Sequence, residues 1–105
     1  MDRIESLKEF LKEDPHDPFN SYALALEYLK SDPLKSNSLF EKLLNDHPNY
    51  LPTYYPFAQL AIERQEVDKA DVIFKQGIET ARRLNDLKTL KELNSAYNDW
   101  LFEQS

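Results

Sequence analysis

The stretch SNSLFEKLL (residues 36–44) recurs as ADVIFKQGI (residues 70–78), and this repetition is the strongest indication of the architecture. After a shift of 34 residues, four positions correspond: Ser36 to Ala70, Phe40 to Phe74, Leu43 to Gly77 and Leu44 to Ile78. Their spacing places each set on one face of an α-helix. We therefore predict that one helical supersecondary unit occurs twice in the chain.

The composition of the 105 residues favours an all-α domain. The sequence has one glycine, whereas tight β-hairpins usually need several residues at positive φ. Hydrophobic residues make up 41% of the chain and charged residues 30%, which suits a single packed core. We predict one domain of about six helices, arranged as antiparallel hairpins because the connections are short.

Helical periodicity extends to both ends of the sequence. Three apolar residues near the start precede their counterparts by 33 residues: Leu7, Phe10 and Leu11 correspond to Phe40, Leu43 and Leu44. The first helix therefore has the pattern of the second half of an incomplete repeat. The predicted segments are an N-terminal half-repeat helix (1–14), a first repeat (17–47), a second repeat (51–84) and a C-terminal capping helix (87–103).

Capping residues and prolines indicate where the helices start. Asp17 and Asp32 each precede a proline, which is the pattern of an N-cap followed by proline at the first helical position. With Thr53 as N-cap, Pro56 becomes the third helical residue, where no backbone hydrogen bond is lost. We predict that Asp68 caps the following helix.

Gly77 lies in the middle of a predicted helix. A glycine there costs about 1 kcal/mol relative to alanine. We therefore predict that another helix comes close to Gly77.

The charge of the chain narrows the choice of partners. The formal net charge is −6, which disfavours nucleic acid and anionic membranes. Without cysteine, neither a disulfide nor a thiolate metal site can form. The first residues have no basic and apolar signal pattern, and no apolar run could span a bilayer, so we expect a cytoplasmic protein.

Residue types that carry chemistry are sparse. The two histidines, His16 and His47, lie beside prolines without partners at helical spacing, which is typical of solvated turns. Solvation at helix ends also accounts for a group of acidic residues that could otherwise suggest a metal site: Glu63, Glu66, Asp68 and Asp71. We expect no enzyme activity and no cofactor.

The repeated residues resemble the tetratricopeptide repeat, with about two full copies as in small bacterial proteins of that family. One copy is marked by Leu24-Ala25, Tyr28, Ser36, Phe40 and Pro48, and the next by Tyr54, Phe57-Ala58, Ala70, Phe74 and Gly77-Ile78. Alanines stand at positions 25 and 58, where the family often has glycine. The first copy is one residue short, which we assign to the turn at residues 31–33.

The resemblance implies a short right-handed superhelix whose concave groove binds a peptide or a segment of another, unidentified protein. The groove residues that it implies are Phe19, Tyr22, Leu26, Tyr55, Gln59 and Glu63. A carboxylate clamp is not expected, since Tyr22, Leu26 and Pro56 stand where charged residues or donors are required. The alternative is a structural or homo-oligomerisation module whose groove is filled by its own C-terminal helix around Trp100.

Overall fold

Six α-helices and one 3-10 turn make up the regular structure of residues 2–105, the part of the chain that the computed structural model describes. The helices are α1 (Arg3–Glu13), α2 (Pro18–Ser31), α3 (Pro33–Asp46), α4 (Tyr54–Glu63), α5 (Val67–Arg83) and α6 (Leu87–Gln104), and the 3-10 turn is Leu51–Thr53. Within these residues there is no strand. The predicted all-α fold of helical hairpins is confirmed.

The helices group into two compact units. The first ends at Thr53 and contains α1, α2, α3 and the 3-10 turn. The second begins at Tyr54 and contains α4, α5 and α6.

In the first unit α2 is the central helix and packs against both α1 and α3. Leu24 and Tyr28 of α2 form an apolar cluster with Leu7 of α1. On the other side, the buried hydroxyl of Ser36 donates a 2.7 Å hydrogen bond to the carbonyl oxygen of Ala25. The small side chains of these two residues let α2 and α3 approach closely enough for this bond.

Aspartates begin all three helices of the first unit. Asp2 Oδ1 accepts a hydrogen bond from the backbone N–H of Glu5, a cap that the sequence analysis had not identified. The predicted caps Asp17 and Asp32 are confirmed, since each side chain accepts a backbone N–H of the first turn. Asp32 is also the only residue between α2 and α3, so the first hairpin has the shorter link, as predicted.

Two predicted caps are wrong in detail. Thr53 does precede the first helical residue of α4, but its hydroxyl is buried without a hydrogen-bond partner among residues 2–105. An N-cap residue needs extended backbone, whereas Thr53 closes a 3-10 turn. Asp68 lies inside the first turn of α5, and Glu66 holds the cap position without a side-chain bond.

The reason for the early start of α5 is the way α4 ends. Gln65 adopts a left-handed conformation with φ of 59°. The N–H of Gln65 donates to Ile62 and that of Glu66 to Ala61, each at 2.9 Å, which is the Schellman pattern. The chain has then reversed by Glu66, so α5 begins directly afterwards.

The same turn ends α5. Asn85 has φ of 57°, and the N–H groups of Asn85 and Asp86 donate to the carbonyls of Arg82 and Ala81. Neither turn contains glycine, the residue that most often adopts this conformation. The two three-residue links therefore carry some backbone strain.

In the second unit Gly77 of α5 faces Tyr54 of α4. A Cβ atom added at Gly77 would lie 2.8 Å from both Cβ and Cγ of Tyr54. The tyrosine is fully buried, and these atoms are held by its backbone. The predicted close approach of another helix at Gly77 is confirmed.

We predict that Gly77→Ala lowers the free energy of unfolding by about 1–2 kcal/mol, because the new methyl group overpacks the contact with Tyr54. At an uncrowded helix position the same change would raise stability by about 1 kcal/mol. Urea denaturation measures the sign directly, with the exposed neighbour Gln76→Ala as the control in the same helix. A stabilised Gly77→Ala protein would contradict the close contact.

We also predict that Gln65→Gly raises the free energy of unfolding by about 0.5 kcal/mol, since glycine relieves the left-handed strain but loses more chain entropy on folding. Asn85→Gly is the matched comparison and should gain less, because asparagine tolerates this conformation better than glutamine. Urea denaturation of both variants tests the order. Equal losses in both variants would show that neither turn is strained.

Candidate functional site

One face of α2 carries large apolar side chains at the surface of the first unit. Phe19 is 56% exposed and Leu26 is 37% exposed, and Tyr22 between them is half-buried. The spacing of three and four residues puts all three on the same face. Adjacent positions on α2 are buried, so this face is distinct from the core.

The ring of Tyr22 is held by a second tyrosine. Tyr50, which follows α3, meets it edge to face with 5.7 Å between ring centroids. Burial raises the pKa of the Tyr22 hydroxyl, and it raises that of Tyr50 with smaller contributions from Tyr22 and Asp17. Both tyrosines therefore stay neutral well beyond physiological pH. Tyr50 was not predicted as part of this surface, because in the sequence it is only an aromatic residue in a proline-rich break between helices.

In the second unit the predicted residues lie along α4. Tyr55 is 49% exposed. Gln59 is half-buried and Glu63 is exposed, at successive intervals of four residues. This spacing again places the three on one helix face.

Tyr55 also forms one wall of a cleft of about 720 Å³ within the second unit. The other wall is α6, which contributes Lys88, Lys91, Glu92, Ser95, Ala96 and Asp99. Gln59 and Glu63 lie outside this lining. The sequence predicts α6 as a capping helix, and its Leu90, Leu93-Asn94 and Tyr97 also resemble the first helix of a third repeat.

Aromatic stacking fixes α6 against α5. The centroid of the Phe74 ring lies 5.4 Å from that of Tyr97 and 5.8 Å from that of Trp100. The hydroxyl of Tyr97 donates a 2.6 Å hydrogen bond to Asp71, which also pairs with Lys75 at 2.9 Å. These contacts hold the side of α6 that faces α5, and the lysines of the cleft are exposed.

Of the four acidic residues considered above as a metal site, two pair with other side chains and two are exposed. The hydrogen bond from Tyr97, followed by that from Lys75, lowers the pKa of Asp71. Glu66 pairs with Arg64 at 2.8 Å. Glu63 and Asp68 are exposed. Among the described residues, no three histidine, aspartate or glutamate side chains are placed to hold a metal ion.

Both histidines line one cavity of about 510 Å³ in the first unit, which the sequence analysis had not anticipated. The cavity also contains Asp46 and Lys42, which form a 2.8 Å ion pair. Hydrogen bonds from Lys42 and then Asn45 lower the pKa of Asp46. The carboxylate of Asp46 is therefore already paired with a lysine of its own helix, α3.

None of the helices in residues 2–105 has both the length and the apolar character needed to cross a membrane.

Two solved structures resemble this chain over most of its length. A solution NMR structure of a tetratricopeptide repeat domain protein from Salinibacter ruber is 41% identical, covers 82% of this chain and 88% of its own, and has a TM-score of 0.77. A crystal structure of a tetratricopeptide repeat domain protein from the same organism is 40% identical, covers 79% of this chain and 93% of its own, and has a TM-score of 0.73. A scan against protein-family models and a search of curated proteins found no match.

At this identity and coverage, the chain belongs to the tetratricopeptide repeat family. Domains with this fold are generally non-catalytic scaffolds for protein interaction.

We predict that Tyr97→Phe lowers the free energy of unfolding by about 1 kcal/mol at neutral pH, because the hydroxyl donates to a charged carboxylate that is only partly screened by solvent. The pKa of folded Asp71 is below the unfolded value of about 3.9, so this contribution is complete above that value and is lost as the pH falls through the folded pKa.

The hydrogen bond to Asp71 raises the pKa of Tyr97. The stability that the neutral tyrosine contributes is therefore fully present below the unfolded pKa of about 10 and is lost as the pH rises through the folded pKa. Urea denaturation at pH 7 and pH 2 checks the acid limb, with Tyr97→Phe repeated in an Asp71→Asn background as the control. An equal loss at both pH values, or an unchanged loss in the Asp71→Asn background, would contradict the assignment.

Proposed function

We propose that this chain is a non-catalytic scaffold that binds a peptide or segment of another protein, with one contact face on α2 in the first unit and another on α4 in the second. The proposed contact residues are Phe19, Tyr22 and Leu26 on α2, and Tyr55, Gln59 and Glu63 on α4. The bound segment is extended or helical, and the partner is a protein or peptide.

One observation carries the proposal. Tyr22 and Tyr55 are 33 residues apart and occupy the same position of successive repeats, as Ala25 and Ala58 do. The alanines are fully buried, whereas Tyr55 is 49% exposed. The repeat therefore places a tyrosine at the same helix position twice, exposed on α4 and, on α2, half-buried against Tyr50.

The energetics support binding at these rings. Complete burial of a large apolar side chain contributes about 1.5–3 kcal/mol, and exposed Phe19 and Tyr55 forgo much of that in the free protein. A partner that covers these rings would gain that burial free energy on binding. Tyrosine is accordingly enriched among the residues that contribute most to interface energies. The half-buried Tyr22 is held in place by Tyr50, so little side-chain entropy is lost when a partner contacts it.

The rival proposal, a structural module in which the C-terminal helix fills the groove, is less well supported. The ring of Trp100 packs against Phe74 and Tyr97 within the second unit. Tyr55 keeps about half of its surface exposed beside α6. Internal filling would have buried Tyr55, so this exposure favours an external partner.

The test uses a displayed library of random peptides roughly twelve residues long, long enough to span several turns of the binding face. Peptides enriched on the wild-type chain are synthesised, and their affinities are measured by calorimetry. Tyr55→Ala is expected to weaken binding at least about tenfold. A tenfold loss of affinity equals about 1.4 kcal/mol of binding free energy, which is typical of removing one aromatic anchor from an interface. The stability of Tyr55→Ala should change little, because the ring is half exposed.

Phe102→Ala is the matched control, since this aromatic residue is 83% exposed at the end of α6 and lies outside the proposed surface. Its affinity should equal that of the wild type. Failure to enrich any peptide, or unchanged binding by Tyr55→Ala, would overturn the proposal. Light scattering tests the rival directly, because a wild-type oligomer that dissociates on Tyr55→Ala would assign this tyrosine to self-association.

A further inference from the structure

The cleft between Tyr55 and α6 has an ordered arrangement of charge. Lys88 and Lys91 lie in the first two turns of α6, followed by Glu92 and then by Asp99 near the far end. At 1.5 Å per residue, the distance along the helix axis from Lys88 to Asp99 is about 16 Å. One end of the cleft is therefore basic and the other acidic.

Three of these charged groups lack an ion-pair partner in the part of the chain that the structure describes. Among residues 2–105, Lys88, Lys91 and Asp99 form no ion pair, whereas Lys42 and Lys75 each pair with an aspartate one helical turn away. The charges of the cleft are thus available to a ligand.

The position of Lys88 is also unfavourable for the helix itself. It lies in the first turn of α6, which contains no acidic residue. The partial positive charge at a helix N-terminus favours anions and disfavours a lysine. Helix stability therefore does not explain why a lysine stands at this position.

We infer that the cleft selects an extended peptide segment that carries an acidic side chain at one end, facing Lys88 and Lys91, and a basic side chain about five residues away, facing Asp99. An apolar side chain between the two packs on Tyr55. The separation follows from the length of the cleft, because extended chain advances about 3.3 Å per residue. This inference rests on the proposed function and specifies its partner.

A polyanion such as nucleic acid fits the cleft less well. It would meet Glu92 and Asp99 together with the lysines, and the chain as a whole carries a net charge of −6. A segment of mixed charge complements both ends of the cleft. Its affinity should fall with added salt, because exposed ion pairs are screened.

The experiment repeats the peptide selection on three forms of the full chain: the wild type, a double reversal (Lys88→Glu with Lys91→Glu) and a charge-preserving double variant (Lys88→Arg with Lys91→Arg). The reversal is expected to fold, since it places an acidic residue where the helix N-terminus favours one. Circular dichroism and urea denaturation verify folding before binding is measured.

The wild type should enrich peptides with an acidic residue about five positions from a basic one. Such a peptide should bind the double reversal about tenfold more weakly. This factor is the expected loss of two exposed ion pairs, each of which accounts for about a threefold change in affinity. It should bind the arginine variant with nearly wild-type affinity. Exchanging its acidic residue for lysine should restore binding to the double reversal.

The remaining outcomes would contradict either this inference or the proposed function. Enriched peptides without this charge order, or an affinity unchanged by the double reversal, would overturn the inference and leave the proposed function intact. A loss in the arginine variant as large as in the reversal would also overturn it, because charge would then not be the determinant. If no peptide is enriched on any form, the proposed function itself fails.

Discussion

Within each of the two predicted repeats, the paired helices pack at very short range, and this close packing holds the hairpin together. In the first hairpin it occurs where the hydroxyl of Ser36 reaches the carbonyl of Ala25. In the second it occurs where Gly77 leaves room for Tyr54. A larger side chain at Ala25, Ser36 or Gly77 would push the two helices of its hairpin apart. Phe40 and Phe74, which occupy matching positions of the repeat, are both fully buried.

Much of this could be predicted from the sequence because the determinants are local or periodic. Proline fixes φ, and aspartate before proline offers a cap, so the starts of α2 and α3 follow from adjacent residues. The left-handed residues Gln65 and Asn85 could not be found in this way. Their conformation follows from the reversal of the chain after a helix, and a glutamine carries little preference for it. The misplaced cap at Asp68 has the same origin.

The interaction surface was only partly predictable. The repeat placed Tyr22 and Tyr55 at equivalent positions, but periodicity alone does not distinguish an exposed aromatic residue from a core one. Tyr50 and the lysines of α6 were missed because their significance depends on neighbours distant in sequence. The apolar pattern of α6 indicates which side of the helix packs on α5. That the exposed side forms a cleft with Tyr55 is visible only in the structure.

The single residue between α2 and α3 has a consequence for the evolution and engineering of this chain. Asp32 closes one helix through its own N–H and opens the next through its side chain and its carbonyl. A residue inserted at this position would disrupt the C-cap of α2 and the N-cap of α3 together. In the three-residue link around Asn85, different residues end α5 and begin α6. Changes in length should therefore accumulate between the later helices, and the first hairpin should keep its spacing among descendants of this sequence.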